Sequence, residues 1–264
     1  MILRFPHEVP RHAFSHRDAA RAADIWRAFQ DVAVGAASRV GWSPRRFRDT
    51  GTAFVVRSMT VIHHRETSFG ESLEGSSWVR RFRRDTLCTR EVRLDSASGP
   101  VASASQEWVH VDADGKPARA PAAMVEAFVP HEEGGVALPD IRRASVEAPS
   151  TRFEFRPWHV WMDPLNHVNH PAYVDFCDEA IARVIASSGR DPADLVPVAE
   201  SITFLAPVFA GAEVVVTSRF VGRTAEGDVA IEHVIDTRDR PGSARAITVR
   251  RLAGGGDLAA LLGG

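Results

Sequence analysis

Hydrophobic residues recur at helical spacing in two long stretches of the chain. The first stretch predicts a helix over residues 16–40, and its apolar side carries Ala23, Trp26, Phe29 or Gln30, Ala33, Ala37 and Val40. The second predicts a helix over residues 171–188, and its apolar side carries Tyr173, Val174, Cys177, Ala180, Ile181, Val184, Ile185 and Ser188. Gly41 and Gly189 follow as stop signals. Each helix therefore has a broad apolar face that needs a cover.

Runs of β-branched and other apolar residues, bounded by turn signals, surround each helix. The first half predicts strands near residues 1–9, 54–61, 72–83, 87–94 and 102–111. The second half predicts strands near residues 153–161, 199–205, 212–221, 229–237 and 244–252. Both halves therefore have the order strand, long helix, four strands. We expect an α+β fold in which a curved antiparallel sheet wraps around one helix, present twice in tandem.

The segment between the two halves differs in composition. Residues 117–150 contain five prolines and the pair Gly134-Gly135, which is typical of a linker between domains. A short helix is possible at residues 122–128. The predicted organisation is an N-terminal domain over residues 1–116, a linker over 117–150 and a C-terminal domain over 151–254.

Composition narrows the class of protein. The 264 residues are 44% hydrophobic and 25% charged, which is typical of a soluble globular protein. A formal net charge of -2 argues against a nucleic-acid partner. Cys88 and Cys177 lie far apart, so we expect no disulfide framework and a reducing compartment. Because no signal-peptide core or membrane span is seen in the sequence, we expect a cytoplasmic protein without a membrane partner.

A polar segment runs directly into the second helix. It carries Asp163, Asn166, His167, Asn169 and His170, and Pro171 stands where the helix should begin. The first N–H groups of a helix lack intrahelical partners and can polarise a carbonyl oxygen. Such donors are expected over residues 169–172. A carboxylate and an imidazole beside them predict a hydrolytic site. The chain contains no Gly-x-Ser-x-Gly motif, which argues against a serine hydrolase.

The same segment resembles a known family. The run Asp163-x-x-Asn166-His167-Val168-Asn169-His170-x-x-Tyr173 is similar to the Asp…His-Val-Asn-Asn…Tyr signature of hotdog-fold thioesterases. Asp163-Pro164 with Tyr173 also resembles the start of the 4-hydroxybenzoyl-CoA thioesterase pattern. In the first half, three runs resemble the N-terminal hotdog domain of acyl-ACP thioesterases: Ala53-Phe54-Val55-Val56-Arg57-Ser58-Met59, Phe69-Gly70-Glu71 and Ala104-Ser105-Gln106-Glu107-Trp108-Val109. The resemblance implies two tandem hotdog domains, with the site in the second.

The resemblance also implies roles for individual residues. Asp163, His167 and Asn169 would be the catalytic group: the essential carboxylate, the imidazole and a polarising amide. The substrate-binding group would comprise Asn166, His170, Ala172, Tyr173 and Glu200. The chain departs from plant-type acyl-ACP thioesterases at two positions, because Leu165 replaces an Asn and Pro207 replaces a Glu. Glu200 is a candidate replacement for that Glu.

The expected reaction is hydrolysis of a fatty acyl thioester, carried by CoA or by acyl carrier protein, to a free acid and a thiol. Asp163 could act as general base or as nucleophile through a mixed anhydride. Two rivals are a hotdog hydratase or dehydratase and a catalytically inactive acyl- or carrier-binding protein. The histidines near the motif lack zinc spacing, so we expect no metal and no other cofactor. The first domain lacks the motif near Ser15-His16 and is expected to be non-catalytic, and the chain would be a monomeric pseudo-dimer or a homodimer.

Overall fold

The computed structural model describes residues 1–264, which form two units. The first unit comprises residues 1–13 and 24–137, and the second comprises residues 14–23 and 138–264. This division differs in two places from the predicted domain bounds. The first part of the expected linker packs with the first unit, and the short segment 14–23 belongs to the second.

The first unit is an antiparallel sheet with one long helix. Its elements are β1 (Leu3–His7), α1 (Ala22–Arg39), α2 (Pro44–Asp49), β2 (Ala53–His63), β3 (Leu73–Arg83), β4 (Leu87–Ser96), β5 (Gly99–Val111) and α3 (Ala122–Ala127). The strand order is β1-β3-β4-β5-β2, and every neighbouring pair is antiparallel.

The second unit repeats this arrangement. Its elements are β6 (Arg142–Arg143), β7 (Ser150–Phe155), α4 (Ala172–Ser187), β8 (Leu195–Phe204), β9 (Val214–Arg223), β10 (Val229–Thr237), β11 (Arg240–Leu252) and α5 (Leu258–Leu261). The strand order is β7-β9-β10-β11-β8, with the two-residue β6 pairing the end of β9. Since β7 to β11 follow the order of β1 to β5, the predicted duplication of an antiparallel sheet with a long helix is confirmed.

Each long helix buries its apolar face. In α1, Trp26 and Phe29 are fully buried, and Arg90 of β4 reaches the Ala33 carbonyl of the helix. In α4, Cys177 and Ile181 are fully buried. None of the helices has the length and apolar character needed to span a membrane.

Three local features differ from the sequence prediction. The helix expected from residue 16 begins only at Ala22, because residues 14–20 close into a turn bridged between Phe14 and Ala20. The strand expected over residues 153–161 ends at Phe155, and His159–Trp161 form a 3₁₀ turn. The short helices α2 and α5 were not predicted.

The turn at residues 14–20 is held to the second unit by two contacts. His16 Nε2 lies 2.8 Å from Asp191 Oδ2, and Arg17 Nε donates to the Ala193 carbonyl at 2.6 Å. Asp191 caps the 3₁₀ turn Pro192–Asp194 before β8, and Ala193 lies within that turn. These two polar contacts hold the segment against the residues that precede β8.

Candidate active site

The residues before α4 form a tight closed turn. Asp163 Oδ1 accepts hydrogen bonds from the Leu165 N–H at 2.8 Å and the His167 N–H at 3.4 Å. The backbone closes the same turn, because the Asp163 N–H donates to the His167 carbonyl at 2.8 Å. Asn166 takes the left-handed conformation at φ 62°, which asparagine tolerates better than most residues. The aspartate thus stabilises its own turn through one oxygen.

The second carboxylate oxygen of Asp163 faces the imidazole. Asp163 Oδ2 lies 3.3 Å from His167 Nδ1, and the side chains are 14% and 26% exposed. Oδ1 is thus held by backbone donors, whereas Oδ2 faces the His167 ring. The structure therefore brings together the carboxylate and the imidazole that the sequence paired.

The predicted backbone donors at the start of α4 are mostly engaged within the chain. The Asn169 N–H donates to the Trp161 carbonyl at 2.8 Å, and the Ala172 N–H donates to the Asn169 carbonyl at 3.0 Å. Pro171 precedes the helix with helical angles and has no N–H to offer. The Asn169 and Ala172 N–H groups, two of the donors predicted over residues 169–172, are therefore already engaged in closing the turn.

His170 and Tyr173 lie behind the turn and pack on Phe204 at the end of β8. The ring centroids of Tyr173 and Phe204 are 5.1 Å apart, and those of His170 and Phe204 are 6.1 Å apart. Burial raises the pKa of Tyr173, and the nearby Asp163 carboxylate raises it further. Burial, with a smaller contribution from His167, lowers the pKa of His170 to about 3, so its ring is neutral at physiological pH. Both residues therefore surround the Asp163–His167 pair without adding charge.

The loop after β8 closes the other side of the turn. The Val168 N–H donates to the carbonyl of the fully buried Val208 at 2.8 Å, and Tyr173 forms a hydrogen bond with the Val208 backbone. Sequence reasoning singled out neither Val208 nor Phe204. The only available signal was the proline-containing run after the strand.

The remaining predicted substrate-binding residues lie in different environments. Asn166 is exposed at the tip of the turn, and Ala172 is buried. Glu200 is fully buried, and its carboxylate binds the guanidinium of Arg250. Glu200 thus belongs to a buried ion cluster, and its partner Arg250 was missed by sequence reasoning.

The turn at residues 14–20 repeats the hydrogen bonds of the Asp163 turn with different side chains. The Ser15 N–H donates to the Ala19 carbonyl at 2.9 Å, and the Arg17 N–H lies 3.3 Å from Ser15 Oγ. Asp18 has φ 58°, close to the value at Asn166. Ser15 therefore occupies the place of Asp163 in the first repeat, and Ala19 occupies the place of His167.

A further concave surface lies apart from Asp163 and His167. A groove of about 560 Å³ in the first unit is lined by β4, β5 and residues 135–137, with His64 and Glu91 among its polar side chains. It contains none of the predicted site residues. No group of three or more His, Cys, Asp and Glu side chains is placed to hold a metal ion.

Two protein-family models match the chain. The acyl-ACP thioesterase N-terminal domain matches residues 7–128, and the thioesterase superfamily matches residues 165–225. The two matches fall one on each repeat, in the order that the duplicated topology requires. The chain belongs to the hotdog-fold acyl thioesterases. It is a thioester hydrolase with two tandem hotdog domains.

Solved structures show the same fold for this thioesterase over nearly its whole length. A Lactobacillus plantarum protein assigned as an oleoyl thioesterase has a TM-score of 0.79 at 14% identity, covering 96% of both chains. The 12:0-ACP thioesterase from Umbellularia californica has a TM-score of 0.76 at 13% identity, covering 95% of this chain and 94% of its own. A Bacteroides thetaiotaomicron acyl-ACP thioesterase has a TM-score of 0.74 at 12% identity, covering 95% and 98%. No curated protein sequence matches the chain.

Proposed function

We propose that this thioesterase hydrolyses fatty acyl thioesters at the Asp163 turn. The observation that carries the proposal is the 3.3 Å contact between Asp163 Oδ2 and His167 Nδ1, in a turn that already holds Oδ1. A carboxylate fixed through one oxygen presents the other in a defined direction, which is what a general base requires. The side-chain amide of Asn169, two residues beyond His167, is proposed to polarise the thioester carbonyl.

The proposed reaction uses water as the nucleophile. Asp163 Oδ2 takes a proton from the water as its oxygen adds to the thioester carbonyl carbon. The tetrahedral intermediate then collapses, the C–S bond breaks, and the leaving sulfur is protonated by Asp163 or by His167. In a first turnover in ¹⁸O-water this route labels the acid product. A mixed anhydride hydrolysed at the Asp163 carbonyl would label the enzyme instead.

We propose acyl carrier protein as the preferred carrier. The support is the match of residues 7–128 to the N-terminal domain of acyl-ACP thioesterases. Two of the structurally similar proteins are also named for acyl-ACP substrates. The test is a comparison of kcat/KM for acyl-ACP and acyl-CoA of equal chain length, over a panel of chain lengths. Equal or higher kcat/KM with acyl-CoA would overturn the preference.

The first domain is proposed to be non-catalytic. The equivalent turn in the first half of the chain carries Ser15 and Ala19, so it has neither a carboxylate nor an imidazole at the two positions that the proposal uses. It matches the acyl-ACP thioesterase model nonetheless, which supports a role in substrate binding.

Asp163→Asn tests the proposed site and should lower kcat by roughly 10²- to 10⁴-fold, the usual contribution of a general base. Thiol release measures the rate. Asp191→Asn is a matched control, because Asp191 also precedes a proline, accepts the N–H two residues on at 2.9 Å and contacts a histidine. The control should keep the wild-type rate. An Asp163→Asn protein with more than half of the wild-type kcat would refute the assignment.

A further inference from the structure

A buried ion cluster lies between α4 and the sheet of the second domain. Its centre is the Arg250 guanidinium on β11, whose side chain is completely buried. Arg250 Nε donates to Asp178 Oδ1 of α4 at 2.9 Å, and Nη1 donates to the Glu200 carboxylate of β8. The Glu200 side chain is also completely buried, whereas Asp178 is 27% exposed. The Arg250 guanidinium on β11 thus contacts both α4 and β8.

The same guanidinium also occupies an irregularity in the sheet. The pairing of β8 with β11 shifts register between Val249 and Arg250, so that Val249 opposes Ala199 and Arg250 opposes Pro197. Arg250 Nη1 donates to both the Ala199 carbonyl at 3.2 Å and the Val249 carbonyl at 3.0 Å. The cluster is therefore locked to one register of the two strands.

Stability alone does not account for this arrangement. Taking ions out of water is costly, and apolar replacements of a buried ion cluster are often as stable as the original or more so. Burial by itself would lower the pKa of Arg250, but the two carboxylates outweigh burial and raise it, so the guanidinium stays charged. A charged cluster under the helix instead specifies one relative position of its elements.

The two elements joined by Arg250 are those that enclose the Asp163 turn. Tyr173, five residues before Asp178 on α4, packs on Phe204 at the end of β8. The loop that follows β8 holds the turn through the Val168–Val208 hydrogen bond. A shift of α4 against β8 would therefore displace the Asp163 turn from the groups that surround it.

We propose that Arg250 is a positioning residue for thioester hydrolysis, which holds α4 and β8 in the one arrangement that aligns the Asp163 turn. The proposal rests on the proposed function of Asp163. Because a misplacement of about 1 Å far from the chemistry can cost roughly 10²-fold in rate, a small shift of the helix suffices.

The first test replaces the cluster by uncharged side chains of similar size, as Arg250→Met, Glu200→Leu and Asp178→Asn together. We expect a Tm close to that of the wild type, a KM for the acyl thioester changed by less than about threefold, and a kcat reduced roughly 10- to 100-fold. A triple variant with both wild-type Tm and wild-type kcat would overturn the proposal, since the cluster would then be dispensable.

The second test does not depend on how the triple variant folds. Asp178→Asn keeps the shape of the side chain and one hydrogen-bond acceptor for Arg250 while removing the charge, at a position that is partly exposed. We expect kcat to fall several-fold with KM and Tm unchanged. The matched control is Glu179→Gln, the next residue of α4, whose exposed partner is Arg183 at 2.9 Å. Wild-type kcat in Asp178→Asn, or an equal loss in Glu179→Gln, would refute the positioning role.

Asp163→Asn is measured alongside these variants to separate the two proposals. Full activity of Asp163→Asn refutes the proposed function. Full activity of Asp178→Asn with an inactive Asp163→Asn refutes only the positioning role of Arg250.

Discussion

His233, like His170, is a histidine of the second domain whose pKa burial lowers far below its ordinary value. Its ring is fully buried, with Nδ1 2.8 Å from Ser218 Oγ and Nε2 2.9 Å from Thr248 Oγ1. Burial, with a smaller contribution from Arg250, lowers the pKa of His233 from 6.5 to about 3. Between pH 6.5 and pH 3, His233 is therefore protonated in the unfolded chain and neutral in the folded chain. The free energy of unfolding falls as the pH drops from 6.5 towards 3, by about 1.4 kcal/mol per pH unit for this residue.

His233→Gln should flatten this pH dependence, because glutamine has no proton to gain on unfolding. We expect the slope of unfolding free energy against pH to decrease by about 1.4 kcal/mol per unit below pH 6, measured by urea denaturation between pH 4 and pH 7. The absolute stability at pH 7 should fall, since two hydrogen bonds of the ring are altered. The same substitution at the exposed His159 is the control. Identical slopes in wild type and His233→Gln would contradict the prediction.

Individual residues also show how far the sequence defines the candidate site. The run from Asp163 to His167 before a helix was enough to assign a carboxylate and an imidazole to one candidate site. The backbone donors were not predictable in the same way, because each N–H is engaged according to how the turn closes on Trp161. Arg250 could not be found at all. It lies 50 residues after Glu200 in the chain, and their proximity depends on the register of β8 and β11.

At the scale of elements, the hydrophobic pattern predicted both long helices and nearly all strands. It failed at the start of the first long helix. Residues 16–21 contain no helix-breaking proline or glycine, yet Asp18 takes a left-handed conformation and α1 starts only at Ala22. The short helix α2 did have a signal, because Ser43 followed by Pro44 is a capping pattern, and Ser43 Oγ accepts the Arg46 N–H at 3.3 Å.

The packing of α1 on β3 depends on the absence of a side chain at Gly75. A Cβ atom at this position would lie 2.3 Å from Val32 Cγ2. Gly75→Ala should therefore destabilise the protein by about 1–3 kcal/mol, and adding Val32→Ala should recover part of that loss. Urea denaturation of the two single variants and the double variant measures the coupling.

Gly35 in the same helix supplies a control of opposite sign. A Cβ there would make an ordinary contact of 3.6 Å with Phe5, and alanine favours a helix more than glycine does. Gly35→Ala should be neutral or stabilising by up to about 1 kcal/mol. Equal effects of the alanine substitution at both glycines would show that close packing at Gly75 is not limiting.

At the scale of the whole molecule, one fold is used twice, and only the second copy carries the aspartate and the histidine of the proposed site. Both halves of the chain keep the strand order, the long helix and the closed turn before it. The chemistry differs because Ser15 replaces the aspartate and Ala19 replaces the histidine in the first repeat. Conservation of the turn without its carboxylate indicates that the turn itself serves the fold.

This asymmetry predicts one hydrolytic site in each 28.9 kDa chain. Ser15→Ala should leave kcat at the wild-type value, because the Ser15 hydroxyl has no imidazole at residue 19 to activate it. Asp163→Asn alone should remove nearly all activity, and a non-hydrolysable acyl thioester analogue should bind with a stoichiometry of one by calorimetry. Two molecules bound per chain, or a kcat halved by Ser15→Ala, would mean that the first repeat also reacts. The duplicated turn would then be a second site and not a structural copy of the first.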